Sequence, residues 1–117
     1  MKDSRRLARM LKALAVPARV RIVQLLKERA LCVGALTARL EVTQGAVSQH
    51  LRILRDAGLV VDERRGYYVH YRLNERTLAG WRKAMGELLD PACTDRKGAE
   101  PCAAAMRKQK PAGSRKT

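Results

Sequence analysis

Apolar positions recur at helical spacing in five separate stretches of this chain, and at the spacing of two in one. Leu7, Met10, Leu11 and Leu14 fall at i, i+3, i+4 and i+7, which predicts an amphipathic helix over about residues 4–15. Pro17 interrupts that pattern and suits the first turn of a second helix, which runs to about Lys27 with Val20, Ile22, Val23 and Leu26 as its apolar side. Val33, Leu36 and Leu40 mark a short third helix, and Glu41-Val42 a turn. Thr43 is placed to cap a fourth helix and Gly58 to close it. Projected at about 100° per residue, Gln44 to Asp56 divides into two arcs without exception. Ala46, Val47, His50, Leu51, Ile53 and Leu54 form the apolar arc; Gln44, Gly45, Ser48, Gln49, Arg52, Arg55 and Asp56 form the polar one.

After Gly58 the period changes. Leu59–Arg64 and Tyr67–Leu73 read as two short strands joined at Arg65-Gly66, with Val69, Tyr71 and Leu73 on one face. A fifth helix begins near Glu75, carries Leu78, Trp81, Met85, Leu88 and Leu89 on one side, and is ended by Pro91. The pattern predicts a mainly α domain with a small β-hairpin over residues 1–90. Residues 91–117 are polar, basic and broken by Gly and Pro, and are expected to be a flexible, cysteine-containing tail.

Charge changes this picture more than composition does. The chain carries 25 Lys and Arg against 11 Asp and Glu, a formal net of +14. Residues 1–90 hold +9 of that excess and the tail +5, so the folded part is basic in its own right. Such a balance points to a polyanionic partner, nucleic acid before membrane. No apolar run approaches the roughly 18 residues needed to span a bilayer, and the first ten residues lack the apolar stretch of a signal peptide, so a cytoplasmic location is expected and no membrane partner. Three cysteines are too few, and odd in number, for a disulfide framework. With no Phe, one Trp and three Tyr, the core must be small and aliphatic, which favours a chain that pairs with a second copy.

The polar arc of the fourth helix is small and amide-rich at its start and basic further on, as a helix entering the DNA major groove requires. Gln44, Gly45, Ser48, Gln49 and Arg52 are therefore candidates to approach base edges and phosphates: Gln bonds adenine and Arg bonds guanine in bidentate fashion, while Gly45 and Ser48 allow close approach. Arg64, Arg65 and Tyr67 surround the hairpin tip and suit phosphate or minor-groove contact. Arg19 and Arg21 are placed either to touch phosphate or simply to be solvated. His50, inside the apolar arc, reads as a packed, hydrogen-bonded residue, and His70, alternating with Val69 and Tyr71, as an outward-pointing one.

This order of elements, with the fourth helix as reader, resembles the ArsR/SmtB family of winged helix-turn-helix regulators. The matching residues are Pro17-Ala18-Arg19-Val20-Arg21-Ile22, Val33-Gly34-Ala35-Leu36, the run from Thr43 to Leu54, Ala57-Gly58-Leu59-Val60, and the wing Gly66 to Leu73. The resemblance covers residues 5–90, about three quarters of the chain. It implies a homodimer formed through the first and fifth helices, and a transcriptional repressor that binds an inverted-repeat operator in double-stranded DNA and is released by an effector. Two of the family's metal sites are not matched. The fifth helix has Glu75, Glu87 and Asp90 but no His, and of the two third-helix cysteines only Cys32 remains, with Gly34 in the second place.

Cys32 stands where an N-cap residue of the third helix is expected, a position that ordinarily favours Ser, Thr, Asp or Asn. Cys93 and Cys102 lie just beyond the fifth helix. Three thiolates suit arsenite or another thiophilic metal ion as effector, with no cofactor required; two thiols alone suit a disulfide or polysulfide bridge in a sensor of reactive sulfur or redox state. Of the two, the metalloid is preferred. A general, non-sensing DNA-binding or architectural protein is a further alternative. An enzyme is not expected: the chain has two His, no Gly-rich phosphate loop and no clustered carboxylates.

Overall fold

Among the described residues five helices form where the apolar spacing places them, together with a small sheet. A computed structural model describes residues 4–91. Its elements in order are α1 (Ser4–Leu14), α2 (Pro17–Leu26), β1 (Leu31–Cys32), α3 (Val33–Leu40), α4 (Gln44–Asp56), β2 (Val60–Arg65), β3 (Tyr68–Leu73) and α5 (Glu75–Leu88). This is a winged helix-turn-helix: α3 and α4 form the helix pair, and β2 with β3 form the wing.

The sheet has three strands rather than the two of a bare hairpin, in the order β1-β3-β2 and antiparallel throughout. Leu31 pairs with Tyr71 and Cys32 with His70. A two-residue strand leaves no alternation in the sequence, so β1 could not be read from the pattern. The wing strands also each begin one residue later than expected, and β2 ends one residue later. Gly66 is at φ +64 and Tyr67 follows it in the two-residue turn. With glycine first at positive φ and Tyr67 not at positive φ, the pair fits a type II′ hairpin turn, whose twist matches that of the flanking strands.

The main core is aliphatic. Ile22, Leu36, Val47, Leu51, Leu54, Leu59 and Val60 are fully buried, joined by Leu26, Leu31 and Leu73. A smaller cluster of Leu7, Met10 and Ala84 joins α1 to α5, with Trp81 packed against both clusters. Several apolar positions expected inside lie at the surface of the single chain: Leu11, Val20, Leu88 and Leu89. On α2, Ile22 and Leu26 at i and i+4 take the inner line, and Val20 falls outside it. On α5, Ala84 takes the buried place.

Candidate nucleic-acid interface

The reading helix is set at both ends by local chemistry. At its start the Thr43 side-chain oxygen accepts the Ala46 N–H at 3.1 Å, satisfying one of the amides that a helix start leaves without a partner. At its end Ala57 is the C-cap and Gly58, one residue further on, takes φ +84. The Gly58 N–H donates to Arg55 O at 2.8 Å and the Leu59 N–H to Leu54 O at 3.0 Å. That is the Schellman pattern, completed by burial of Leu54 and Leu59 in one core. Gly58 is therefore the residue after the cap rather than the cap itself.

Between these ends the two arcs keep to their sides. Val47, Leu51 and Leu54 are buried and Ala46, His50 and Ile53 half-buried; Gln44, Gly45, Ser48, Gln49, Arg52, Arg55 and Asp56 are all exposed. A Cβ added at Gly45 would meet nothing within 4 Å, so the protein's own packing does not demand glycine there. Among the described residues Arg52 makes no hydrogen bond or ion pair, and its guanidinium is available to a ligand. Arg55 is otherwise engaged: it bonds Asp62 of β2 at 3.4 Å and ties the end of α4 to the wing. A small cleft lined by Ser48, Leu51, Arg52, Arg55 and Tyr71 joins the reading face to β3.

The wing tip is basic and aromatic. Tyr67 in the turn is 95% exposed and Tyr68 is 64% exposed. Glu63 accepts Arg72 Nε at 3.0 Å and lies 3.8 Å from Arg65, so one carboxylate draws on two of the wing's cations. Arg64 has no such partner among the described residues.

Two side chains depart from the sequence reading. Arg19 is committed within the protein: its Nε donates to His50 Nδ1 at 3.2 Å and its Nη1 to the Lys12 and Ala13 carbonyls, each at 3.3 Å. No spacing could reveal a bond across 31 residues. His50 is half-buried and hydrogen-bonded, as expected, and its pKa is lowered by burial first and by the Arg19 charge second. His70 is not simply outward. It is half-buried, stands opposite Cys32 and Glu63 in the sheet, and its Nδ1 is enclosed without a hydrogen-bond partner among the described residues. The third strand, absent from the sequence pattern, is what covers it.

Cys32 is the N-cap of α3, half-buried, with a free thiol and no side-chain capping bond. Its Sγ lies 4.0 Å from where a Cβ on Gly34 would stand. Cys93 and Cys102 lie outside the described residues, and so does the tail beyond Pro91. Among the described residues no three His, Cys, Asp or Glu side chains are grouped to hold a metal ion, and no helix is long and apolar enough to cross a membrane.

Residues 16–61 match the family model described as "Bacterial regulatory protein, arsR family". The chain is 50% identical over 70 residues to the HTH-type transcriptional repressor SmtB of Mycobacterium tuberculosis, a match spanning 60% of this chain and 52% of that protein. It is 42% identical over 77 residues to the arsenical resistance operon repressor of Escherichia coli, covering 65% of this chain and 66% of the relative. The transcriptional activator HlyU of Vibrio cholerae is 41% identical over 88 residues, covering 75% and 78%. The solved structure of HlyU from Vibrio cholerae superposes with a TM-score of 0.62 over 75% of this chain and 96% of that one. The match thus spans about half the length of the SmtB repressor and most of HlyU.

Proposed function

Because this chain belongs to the bacterial ArsR regulatory-protein family, we propose that it is a sequence-specific DNA-binding repressor, read out through α4 and released by a thiol-reactive effector. The observation that carries the reading is the exposed row Gln44, Gly45, Ser48, Gln49 and Arg52, with a guanidinium at its basic end that has no partner among the described residues. Amides and a forked cation on one face of a helix match the donors and acceptors of the major groove. Arg64, Arg65 and Tyr67 at the wing tip supply backbone or minor-groove contact, which positions the helix without specifying sequence.

The repressor acts as a homodimer formed through α1 and α5, so that two copies of α4 meet an inverted repeat in successive turns of the duplex. Support comes from Leu11 on α1 and Leu88 and Leu89 on α5, apolar side chains that stand exposed among the described residues. The domain proper is residues 1–90, and residues 91–117 form a basic tail carrying two of the three cysteines.

Cys32, with Cys93 and Cys102, is the proposed effector site. A thiol at the N-cap of α3 forgoes the capping bond that Ser or Asp would make, and the thiol lies within the helix pair that includes the reader. Arsenite or another thiophilic ion is the preferred effector, in keeping with the name of the Escherichia coli relative.

The wild type should prefer a duplex it selects from a random library by roughly 10³ or more over unselected DNA at fixed salt. Arg52→Ala should weaken that duplex by about 1–3 kcal/mol, whereas Arg65→Ala should weaken all sequences evenly and lower the salt slope by about 1. Unchanged affinity in Arg52→Ala removes α4 as the reader. In an arsenite titration followed by thiolate absorbance, the wild type should respond and Cys32→Ser should respond less; an undiminished signal in the variant removes Cys32 from the site.

A further inference from the structure

The guanidinium of Arg19 lies where three helices meet. Two carbonyls in the last turn of α1, those of Lys12 and Ala13, accept from its Nη1 at 3.3 Å. Carbonyls at a helix end have no intrahelical donor, so Arg19 serves as a side-chain cap for α1. Lys12 O also receives the Ala15 N–H at 3.2 Å, which leaves Ala13 O the more dependent on Arg19. The other arm of the same fork, Nε, donates to His50 Nδ1 at 3.2 Å, in the middle of α4. His50 is flanked by Gln49 on the reading face and is two residues from Ser48 and Arg52.

We propose that Arg19 is a positioning residue for DNA recognition, locking the rotation of α4 about its axis to the end of α1 through His50. The inference rests on the reading of α4 as the DNA-contacting helix. Its physical basis is the difference between the two kinds of contact that hold α4. The buried line of Val47, Leu51 and Leu54 is apolar, and apolar contact is non-directional. A hydrogen bond to a ring nitrogen is directional, and it is made from the apolar arc of α4, on the side turned away from the reading face. Small rotations that the core tolerates would break it. They would also turn Gln49 and Arg52 away from the base edges. The α1 end of the link belongs to a helix proposed to pair the two copies, so the orientation of each reader is referred to the dimer frame.

The bond has a direction that fixes the imidazole's proton. Nδ1 accepts, so the neutral ring carries its hydrogen on Nε2. Protonation places a second N–H at Nδ1, facing the Arg19 donor, and the link opens. The charged groups around this junction are mostly cations. Arg6, Arg9 and Lys12 from α1 and Arg19 from α2 line a cleft of about 900 Å³ between α1, α2, the end of α4 and α5, with Asp56 as its carboxylate. Arg39 of α3 donates to Ala35 O, and Asp62 of β2 is taken up by Arg55. No carboxylate is hydrogen-bonded to His50 among the described residues to hold a proton there.

The test uses the full chain and a duplex selected by the wild type from a random library, with affinity read by fluorescence anisotropy at fixed salt. Arg19→Lys keeps the charge but not the fork, and His50→Leu removes the acceptor; each should bind about tenfold more weakly near neutral pH. His50→Asn keeps an acceptor at the Nδ1 position without titrating, and should retain wild-type affinity. On acidification from about pH 7.5 to about pH 5.5 the wild type should lose affinity, His50→Asn should not, and His70→Asn should lose it as the wild type does. Full affinity in Arg19→Lys would show Arg19 acting as a phosphate-binding charge and overturn the proposal. A pH profile flattened by His70→Asn instead of His50→Asn would do the same. If the wild type selects no sequence, the DNA-binding reading fails, and the link is then decided in the free protein. Arg19→Lys should speed amide exchange across Ser48–Arg52, and unchanged exchange overturns it.

Discussion

His50 shows how one side chain can belong to the core and still carry a condition. It sits on the apolar arc of α4, yet it is only half-buried and its Nδ1 is committed to Arg19. Burial and the neighbouring guanidinium both disfavour its charged form, so its folded pKa lies below the ordinary 6.5. The unfolded chain therefore takes up a proton at higher pH than the folded chain does. The stability supported by the neutral ring is complete above 6.5 and is lost as pH falls through 6.5 towards the lowered folded value. Urea denaturation followed across that window should give a midpoint that declines on acidification in the wild type. The decline should be smaller in His50→Asn, which keeps an acceptor but does not titrate. An equal decline in the two proteins would assign the dependence to other groups.

At the scale of the element, α4 owes its definition to its ends as much as to its face. Gly58 at φ +84 permits the Schellman closure that returns the chain into β2. A Cβ there would lie 3.8 Å from Thr77 Oγ1, an ordinary contact, so the strain of a substitution comes from the backbone and not from crowding. Gly58→Ala should cost about 1–2 kcal/mol in a thermal or urea melt while leaving the exposed face of α4 intact. These features were legible because each has a local cause: a capping hydroxyl three residues before its amide, a glycine after the last turn, an apolar line at 3.6-residue spacing. What escaped was non-local. Strand β1 is two residues long and exists only because β3 arrives beside it. The burial of His70 Nδ1 follows from that pairing, and alternation along β3 alone suggested the opposite. Arg19 likewise carries no sign in its neighbours that its partner is His50. The residues proposed to face DNA, by contrast, are nearly all local to α4 and the wing tip, and they are exposed where the pattern put them.

Across the whole molecule, the unresolved demand is for cover. The core of the single chain is aliphatic and centred on α2, α3 and α4, and α1 and α5 share only the small cluster of Leu7, Met10 and Ala84 with Trp81 and Met85. Leu88 and Leu89 at the end of α5 are 51% and 69% exposed, and Leu11 on α1 is 41% exposed. Scattered surface leucines are unremarkable, but these lie on the two helices that contribute least to the main core. A net charge of +14 opposes association of two copies, so the proposed interface would have to gain enough from apolar burial to offset that repulsion. The combined substitution Leu88→Glu and Leu89→Glu should therefore shift the protein to monomer in light scattering at moderate salt. Far-UV dichroism should stay unchanged, since neither side chain is buried within the chain. The same variant should lose most of its preference for an inverted repeat over a single half-site, because the gain from binding both half-sites depends on the link between the readers. A variant that stays dimeric would place the interface elsewhere. A monomer that still distinguishes the inverted repeat would separate recognition from pairing, and the link from α1 through Arg19 to α4 would then serve each chain alone.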